Sequence, residues 1–184
     1  MTGFGESSYR RNPAKDPREL ERLVLTYADS LVRYAYSIVG SSAAAEDVME
    51  DTFALLLVKG GNFADEAAIR AWLYKVAHNN AILYLRRHKK EVPLQDVEQV
   101  LHGGDLETDL LRQERNKVLY LCLQKLPGAY RQALQLRYLD GFTPAQISHI
   151  TGQSTKQVYN LLQRGRVTLR QFLTEEGISC EDIQ

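Results

Sequence analysis

The chain has 184 residues and balances 23 basic against 23 acidic side chains, so its formal net charge is zero with histidine neutral. Taken whole, that balance argues against a nucleic-acid binder, because neutralising phosphates requires surplus cations. The distribution of charge is uneven, however: the net charge is +2 over residues 1–90, −6 over 91–114, +8 over 115–173 and −4 over 174–184. The sequence is therefore a series of charge blocks.

The length allows one or two small domains, and 44% hydrophobic residues are sufficient for packed cores. No apolar run approaches the roughly 18 residues of a membrane span, and the polar N-terminus does not resemble a secretory signal. We therefore expect a cytoplasmic protein without membrane insertion. Cys122 and Cys180 give neither a disulfide framework nor a metal-ligand spacing, and no metal or cofactor is expected.

Apolar residues at steps of three and four, beginning at Leu20, predict amphipathic helices in the first half of the chain. Gly40 and the Gly60–Gly61 pair interrupt this pattern, and Pro93 stops the third helix. The expected helices cover residues 18–39, 43–59 and 66–90.

Residues 91–108 are acidic and lack a sustained period, so we expect a flexible linker there. Further helices are predicted over 109–126, 129–139, 144–150 and 154–173, and no segment shows strand alternation. The predicted fold class is all-α, with two small helical domains joined by the linker. The predicted organisation is a tail over 1–17, a domain over 18–90, the linker over 91–108, a domain over 109–173 and an acidic tail over 174–184.

Two helix starts lie eleven residues apart in the second domain. Thr143 is a predicted N-cap, followed by proline at the first helical position and by Gln146, which completes a capping box. Ser154 and Gln157 repeat this arrangement, and the spacing predicts a helix-turn-helix. The cap and the outward residues of its second helix are Ser154, Thr155, Lys156, Gln157, Tyr159, Asn160, Gln163, Arg164 and Arg166.

Two interpretations of this hairpin were compared. A plain helical hairpin would have a solvated polar face, which normally mixes both signs of charge. No acidic residue occurs from Phe142 to Leu173, and amide and guanidinium groups can hydrogen-bond base edges. The charge therefore favours DNA binding. Gly165 disfavours a helix by roughly 1 kcal/mol relative to alanine, so it either permits close packing or ends the regular helix early.

Four carboxylates are predicted on one side of the second helix: Glu46, Asp47, Glu50 and Asp51. The net charge is −5 over residues 46–66 and +6 over 67–90, so adjacent helices suit different partners. Acidic residues near a helix start also interact favourably with the helix dipole and need no partner, and that alternative stays open.

The third predicted helix interleaves basic and aromatic side chains, a combination that suits single-stranded DNA because bases stack on rings while cations follow the backbone. Trp72 shares the face of Ile69 and Leu73 and is expected in the core. Tyr74 and His78 point elsewhere and are better candidates for DNA contact.

Together these motifs resemble bacterial RNA polymerase sigma factors of the extracytoplasmic-function type. The resemblance covers about residues 18–90 and 110–173, in order. The stretches that carry it are AEDVMEDTF at 45–53, AWLYKVAHN at 71–79, LPGAYRQAL at 126–134, the helix-turn-helix, and RGRVTL at 164–169.

The resemblance implies a non-enzymatic protein that lends promoter recognition and strand opening to core RNA polymerase. The four carboxylates would hold the clamp helices of the largest subunit, the flap region would be a further polymerase contact, and the recognition helix would read the minus-thirty-five element in duplex DNA. The minus-ten element would enter as a single strand with a base flipped into a pocket, and the linker would thread the polymerase channels. An anti-sigma factor is a further implied partner. The implied minus-ten residues are Asn62, Phe63 and Ala64 near the pocket, and Tyr74, His78, Asn79, Asn80, Arg86, Arg87, Lys89 and Lys90 along the strand.

The sequence departs from the family's usual pattern at several positions. Leu83 stands where the family usually has aspartate, and Gln157 stands where it usually has threonine. These two changes bear on promoter sequence more than on fold, and they favour a specificity different from the usual one. The remaining departures are Glu50, Gln146 and Gly165.

Two other functions were considered. A stand-alone helix-turn-helix regulator would explain residues 115–173 but would leave the acidic helix, the aromatic–basic helix and the linker unexplained. A small hydrolase is disfavoured because the histidines at 78, 88, 102 and 149 have no metal spacing and no nucleophile–base arrangement stands out.

Overall fold

The computed structural model describes residues 12–88, 119 and 121–175. All regular elements within these residues are helical, which confirms the all-α class. None of the helices in this part of the chain combines the length and the apolar character needed to cross a membrane. The predicted features that lie outside the described residues are most of the tail over 1–17, Lys89, Lys90, the linker over 91–108, most of the helix over 109–126, and Cys180 with most of the acidic tail.

Six α-helices follow the predicted order closely. A single 3₁₀ turn, Pro13–Lys15, precedes the first helix, and residues 121–125 form a further helical stretch ahead of the fourth. The helices are α1 Pro17–Val39, α2 Ser42–Lys59, α3 Glu66–Arg87, α4 Gly128–Leu134, α5 Pro144–Thr151 and α6 Thr155–Glu175.

Helices α1, α2 and α3 pack against one another and form the N-terminal domain. Its core is filled by leucine and tyrosine side chains, among them Leu31, Tyr34, Leu56 and Leu73, each fully buried. Asp16 caps α1 by accepting a hydrogen bond from the Arg18 amide at 3.0 Å. The amphipathic pattern in the sequence thus corresponds to one shared core.

The third helix ends earlier than predicted. It was expected to continue through the basic residues to position 90, but it stops at Arg87. His88 leaves the helical conformation, and its backbone amide donates to the Tyr84 carbonyl at 3.0 Å to close the last turn. Its ring stacks on Tyr84 with centroids 4.2 Å apart. This local cap ends α3 before Pro93 can.

The C-terminal domain contains α4, α5 and α6. The predicted helix over 129–139 is only partly α-helical, because Gln135–Leu139 form a π-helical turn after α4. Gly165 is buried where α6 crosses α4, and a Cβ atom there would lie 3.2 Å from Leu134 and Tyr130 side-chain atoms. Of the two roles considered for Gly165, close packing is confirmed, because α6 continues to Glu175.

The two domains pack directly against each other. Helix α3 contacts α5, and α1 contacts α4. The Arg131 guanidinium on α4 donates to the Ser37 carbonyl on α1 at 3.2 Å, and it also binds the Gln124 and Leu126 carbonyls. The helix-turn-helix is therefore held beside α3.

We predict that Gly165→Leu destabilises the C-terminal domain by roughly 1–3 kcal/mol through overpacking against α4, although leucine is the better helix former. Urea unfolding followed by circular dichroism measures the effect. Gln171→Leu, at an exposed position of the same helix, is the matched control and should be nearly neutral. Equal stability of the two variants would contradict the close crossing.

Candidate nucleic-acid interface

Both predicted helix starts of the helix-turn-helix are capping boxes in the structure. The Thr143 hydroxyl accepts from the Gln146 amide at 3.3 Å, and Gln146 Oε1 accepts from the Thr143 amide at 2.9 Å. Ser154 and Gln157 make the same reciprocal pair at 3.3 and 2.8 Å. Between them Gly152 takes the left-handed conformation that ends α5, with φ +73°. These caps fix the angle at which α6 leaves the turn.

Helix α6 presents one polar surface, which we call the recognition face. Its inner side is anchored by Val158 and Leu162, which are buried against the rest of the domain. Every residue predicted on the outward side is exposed: Ser154, Thr155, Lys156, Gln157, Tyr159, Asn160, Gln163, Arg164 and Arg166.

The recognition face is strongly cationic and has no acidic residue close in sequence. The ion pairs found within the described residues join Arg22 to Glu19 and to Glu66, both in the other domain. The carbonyl oxygen of Gln157 is used by its capping box, so its NH₂ group is the part left to donate to another acceptor. The arrangement can bind an anionic surface through cations and read acceptors through amides.

Helix α2 carries the opposite charge. The four predicted carboxylates, Glu46, Asp47, Glu50 and Asp51, are all exposed and form what we call the acidic face. Val48 and Thr52 are buried on the other side of the helix, where the Thr52 hydroxyl donates to the Val48 carbonyl at 2.7 Å. This separation of faces is what the spacing predicted.

Three large apolar side chains on α1 and α2 are exposed, which the sequence pattern did not predict. Leu57 and Val58, in the last turn of α2, are 51% and 82% exposed, and Leu25 on α1 is 81% exposed. Helix α2 has apolar residues on most of its circumference, and one buried face cannot cover them all. This pattern could have indicated that some of them are exposed.

The loop before α3 is built by close contacts on both sides. A Cβ atom at Gly60, where φ is +52°, would lie 2.6 Å from the Asn12 amide, and one at Gly61 would lie 3.1 Å from the Phe63 ring. Asn12 Oδ1 accepts from the Gly61 amide at 3.4 Å. A role for Asn12 could not be predicted from the sequence, because its partner is 49 positions away.

This loop places its predicted residues beside an aromatic pair. Asn62 and Ala64 are exposed, and Phe63 is half-buried. The Phe63 and Trp72 rings pack edge-to-face, with their centroids 5.8 Å apart. Trp72 itself packs against the core, as predicted. The loop thus offers an amide and an aromatic edge next to one another, a combination that suits capture of a base.

The remaining predicted residues of α3 divide into accessible and buried ones. Asn79 and the terminal Arg86 and Arg87 are exposed, and Asn80 is half-buried. Tyr74 and His78, in contrast, are only 1% and 8% exposed, so the expectation that they point away from the core is wrong. The sequence pattern failed here because it cannot anticipate which distant residues pack against α3: Tyr34 on α1 contacts His78, and Asp140 and Phe142 of the C-terminal domain contact Tyr74.

Specific partners account for both buried rings. The Tyr74 hydroxyl donates to Asp140 Oδ1 at 2.7 Å, and His78 Nδ1 lies 2.9 Å from the Tyr34 hydroxyl. Burial lowers the pKa of His78 and raises the pKa of Tyr74, so both are neutral near pH 7. Burial also raises the pKa of Asp140 to about 6, against the opposing effects of Tyr74 and Arg70.

The C-terminal domain also has an apolar groove that sequence analysis missed. It has a volume of about 440 Å³ and lies between α6 and the segment around the π-helical turn. Its lining combines leucines with two arginines of α6: Leu119, Leu123, Leu134, Tyr138, Leu139, Arg166, Leu169, Arg170 and Leu173. Within the described ranges, no group of His, Cys, Asp and Glu side chains could hold a metal ion.

Two regions of one family match this chain. The model for Sigma-70 region 2 matches residues 23–91, and the model for Sigma-70, region 4 matches residues 116–169. The first region therefore contains the acidic face and α3, and the second contains the helix-turn-helix.

Proteins of the same kind align along most of the chain. The ECF RNA polymerase sigma factor SigM of Bacillus subtilis is 29% identical over 163 residues, 88% of this chain and 99% of SigM. SigW of the same organism is 27% identical over 165 residues, 83% of this chain and 88% of SigW.

Solved structures share the fold. The sigma factor RpoE from Bartonella quintana, in complex with the anti-sigma factor NepR, has a TM-score of 0.69 at 21% identity, covering 85% of this chain and 98% of that one. CnrH, in complex with the cytosolic domain of CnrY, has a TM-score of 0.59 at 23% identity, covering 88% and 92%. With both regions matched in order and full-length relatives of one kind, the chain belongs to the sigma-70 family and is a sigma factor of the ECF type, which directs promoter-specific transcription initiation.

Proposed function

We propose that the chain performs this function through three separate surfaces: the acidic face for core RNA polymerase, the recognition face for the minus-thirty-five element, and the loop before α3 with α3 itself for the minus-ten strand. The observation that carries the assignment is the separation of exposed charge between α2 and α6. DNA phosphates attract the cations of α6 and repel the carboxylates of α2, so the two faces suit different partners.

The recognition face would lie in the major groove with its capped N-terminal end toward the bases. Asn160 and Gln163 carry amides, which pair well with adenine, and Arg164 carries a guanidinium, which pairs well with guanine. The NH₂ group of Gln157 would donate to a base acceptor. Lys156 lies in the first turn, where a phosphate would also meet the positive end of the helix dipole. Gln157 in place of the family's usual threonine supports a distinct promoter specificity.

The acidic face would bind the clamp helices of the polymerase's largest subunit. Exposed ion pairs give modest affinity by themselves, roughly 0.2–1 kcal/mol each. Leu57 and Val58 lie on the same helix and are 51% and 82% exposed, so they supply apolar area for this contact. Carboxylates would then set orientation while the leucine and valine supply buried area.

The minus-ten strand would enter at the loop before α3. Extracting a base from the stack costs roughly a few kcal/mol, and stacking on an aromatic side chain returns about 1–3 kcal/mol per base. Phe63, half-buried and held against Trp72, would be the aromatic side chain on which the base stacks beside Asn62, while Arg86 and Arg87 at the far end of α3 would pair with the phosphates. Leu83, 43% exposed on the same helix, would provide an apolar contact where the family usually has aspartate.

The apolar groove of the C-terminal domain would receive the flap region of the polymerase. Its leucine lining suits an apolar helix, and Arg166 and Arg170 at its edge favour an acidic flank. An anti-sigma factor is a further proposed partner. The support for it is that the similar sigma factor RpoE from Bartonella quintana was solved in complex with the anti-sigma factor NepR.

Charge reversal of the acidic face tests polymerase binding. Glu46→Lys, Asp47→Lys and Asp51→Lys together should weaken association with core polymerase at least about tenfold, because three favourable pairs become repulsive. Affinity is measured by fluorescence anisotropy with labelled protein. Glu21→Lys, Asp29→Lys and Glu175→Lys, at exposed positions outside α2, change the net charge by the same amount and are the control. Unchanged affinity in the triple variant would contradict the assignment.

Alanine substitutions test the recognition face. Lys156→Ala should weaken promoter binding evenly across sequences and lower the salt slope by about 1, as expected for one phosphate contact. Arg164→Ala should relax selectivity at one position of the upstream element, by roughly 1–3 kcal/mol. Transcription with core polymerase on a library of randomised promoters reads both effects. Lys59→Ala, exposed in the other domain, controls for the lost charge, and unaltered selection by Arg164→Ala would exclude a base contact.

Neutralising the end of α3 tests strand opening. Arg86→Gln with Arg87→Gln should reduce permanganate reactivity of promoter thymines in the polymerase complex, because the opened strand loses two phosphate partners. Lys15→Gln with Arg18→Gln removes the same charge at exposed positions before and within α1. Equal reactivity in both variants would refute a role in opening.

A further inference from the structure

The loop before α3 is held at both of its ends by side chains that precede it in the chain. It covers residues 60–65, between α2 and α3. At its first end, Asn12 Oδ1 accepts from the Gly61 amide at 3.4 Å, and Asn12 Nδ2 occupies the place next to Gly60 that a Cβ atom would need. The Asn12 side chain therefore lies directly against the glycine pair.

Asn12 is itself fixed by the 3₁₀ turn that leads into α1. Its backbone is extended, as is favoured before proline, with φ −90° and ψ 102°. Its Oδ1 also accepts from the Ala14 amide at 3.1 Å, and its carbonyl accepts from the Lys15 amide at 3.0 Å. Pro13 is buried, and the turn contacts both α1 and α2. The side chain that touches the loop thus has a defined position relative to both helices.

The other end of the loop is joined to α1 through Glu66, the first residue of α3. Glu66 Oε1 accepts from the Tyr27 hydroxyl at 2.8 Å and from the Arg22 guanidinium at 3.1 Å. Arg22 is held in turn by Glu19, to which it donates two hydrogen bonds at 2.8 and 3.1 Å. Both ends of the loop are therefore tied to the first helix and the turn before it.

These contacts restrict a segment that would otherwise have many conformations. Two adjacent glycines have more backbone freedom than any other pair, and Gly60 uses it, with φ +52°. A base stacks on Phe63 only when the loop presents the ring in the bound position. Freedom that is lost at the moment of binding reduces affinity, so a contact that fixes Gly61 beforehand lowers the cost of capture.

We propose that Asn12 is a positioning residue for base capture: it fixes the Gly61 end of the loop, so that Asn62 and Phe63 are already placed to receive the base extracted from the minus-ten strand. The contact between Tyr27 and Glu66 fixes the other end. The inference rests on the proposed function of the loop, but the contact with Asn12 belongs to the free chain and is tested there first.

Two substitutions of Asn12 separate its contact with the loop from its role in the turn. Asn12→Ser retains an N-cap for the turn Pro13–Lys15, because serine is favoured at such positions, but its shorter side chain loses the Gly61 amide. Asn12→Asp keeps an acceptor oxygen in the same place for both amides. Loss of positioning should therefore appear in the serine variant and not in the aspartate variant.

Fluorescence of Trp72 reports the loop in the free chain, because Trp72 is the single tryptophan and its ring packs against Phe63. In Asn12→Ser, quenching by acrylamide should increase toward the value of Phe63→Ala, which lacks the contacting ring. Asn12→Asp should stay at the wild-type value.

Transcription with core polymerase on promoters randomised at the minus-ten element tests the consequence for capture. Asn12→Ser should lower the base preference at the captured position about two- to tenfold, the range expected for one ordinary hydrogen bond. Selection in the minus-thirty-five element should be unchanged, and Asn12→Asp should retain the wild-type preference in both elements.

Three results would overturn the positioning role of Asn12. They are quenching in Asn12→Ser equal to that of the wild type, unchanged minus-ten selection in Asn12→Ser, and an equal loss of selection in Asn12→Ser and Asn12→Asp. Failure of the proposed function looks different: unaltered minus-ten selection by Phe63→Ala would reject the loop as the base site, whatever the quenching of the Asn12 variants shows.

Discussion

The buried contact between Tyr74 and Asp140 joins the two domains of this molecule. Asp140 is the one acidic residue between positions 115 and 173, and it lies in the interface instead of on the cationic surface. Its carboxylate is buried beside Tyr74 and Arg70, and burial raises its pKa to about 6. The recognition face is thereby left without a competing negative charge, while α3 gains a partner from the other domain.

Helix α3 therefore contacts other elements on several of its sides. One side supplies Leu73 and Ala77 to the N-terminal core, another receives Phe142, and its accessible remainder includes Asn79 and the terminal arginines. Under the proposed function α3 would also bind an opened strand, for which its accessible surface in this arrangement is small. The neutral overall charge conceals a segregation of charge, because the exposed acidic and basic surfaces lie on different helices.

Much of the architecture could be predicted from the chain because it depends on nearby residues. Helix boundaries agree within a few positions where capping residues define them, as at Asp16, Thr143 and Ser154. The exposure of the acidic face and the recognition face also follows from helical spacing. Two helix ends differ from the prediction. His88 ends α3 early through a cap with Tyr84, and Gln135–Leu139 form a π-helical turn in place of the end of an α-helix.

Interactions within about four residues along the chain account for the all-α class, the positions of the helices and the capped helix-turn-helix. The same spacing accounts for the signs of the charged faces, so all of these features could be predicted from the sequence. Three features could be seen only in the folded molecule. Tyr74 and His78 are buried, Asn12 supports the loop before α3, and Gly165 lies at a helix crossing. Each of these depends on a partner distant in the chain; Tyr74 and Asp140 are separated by 66 positions. A pattern along one helix cannot indicate which face a second domain will cover.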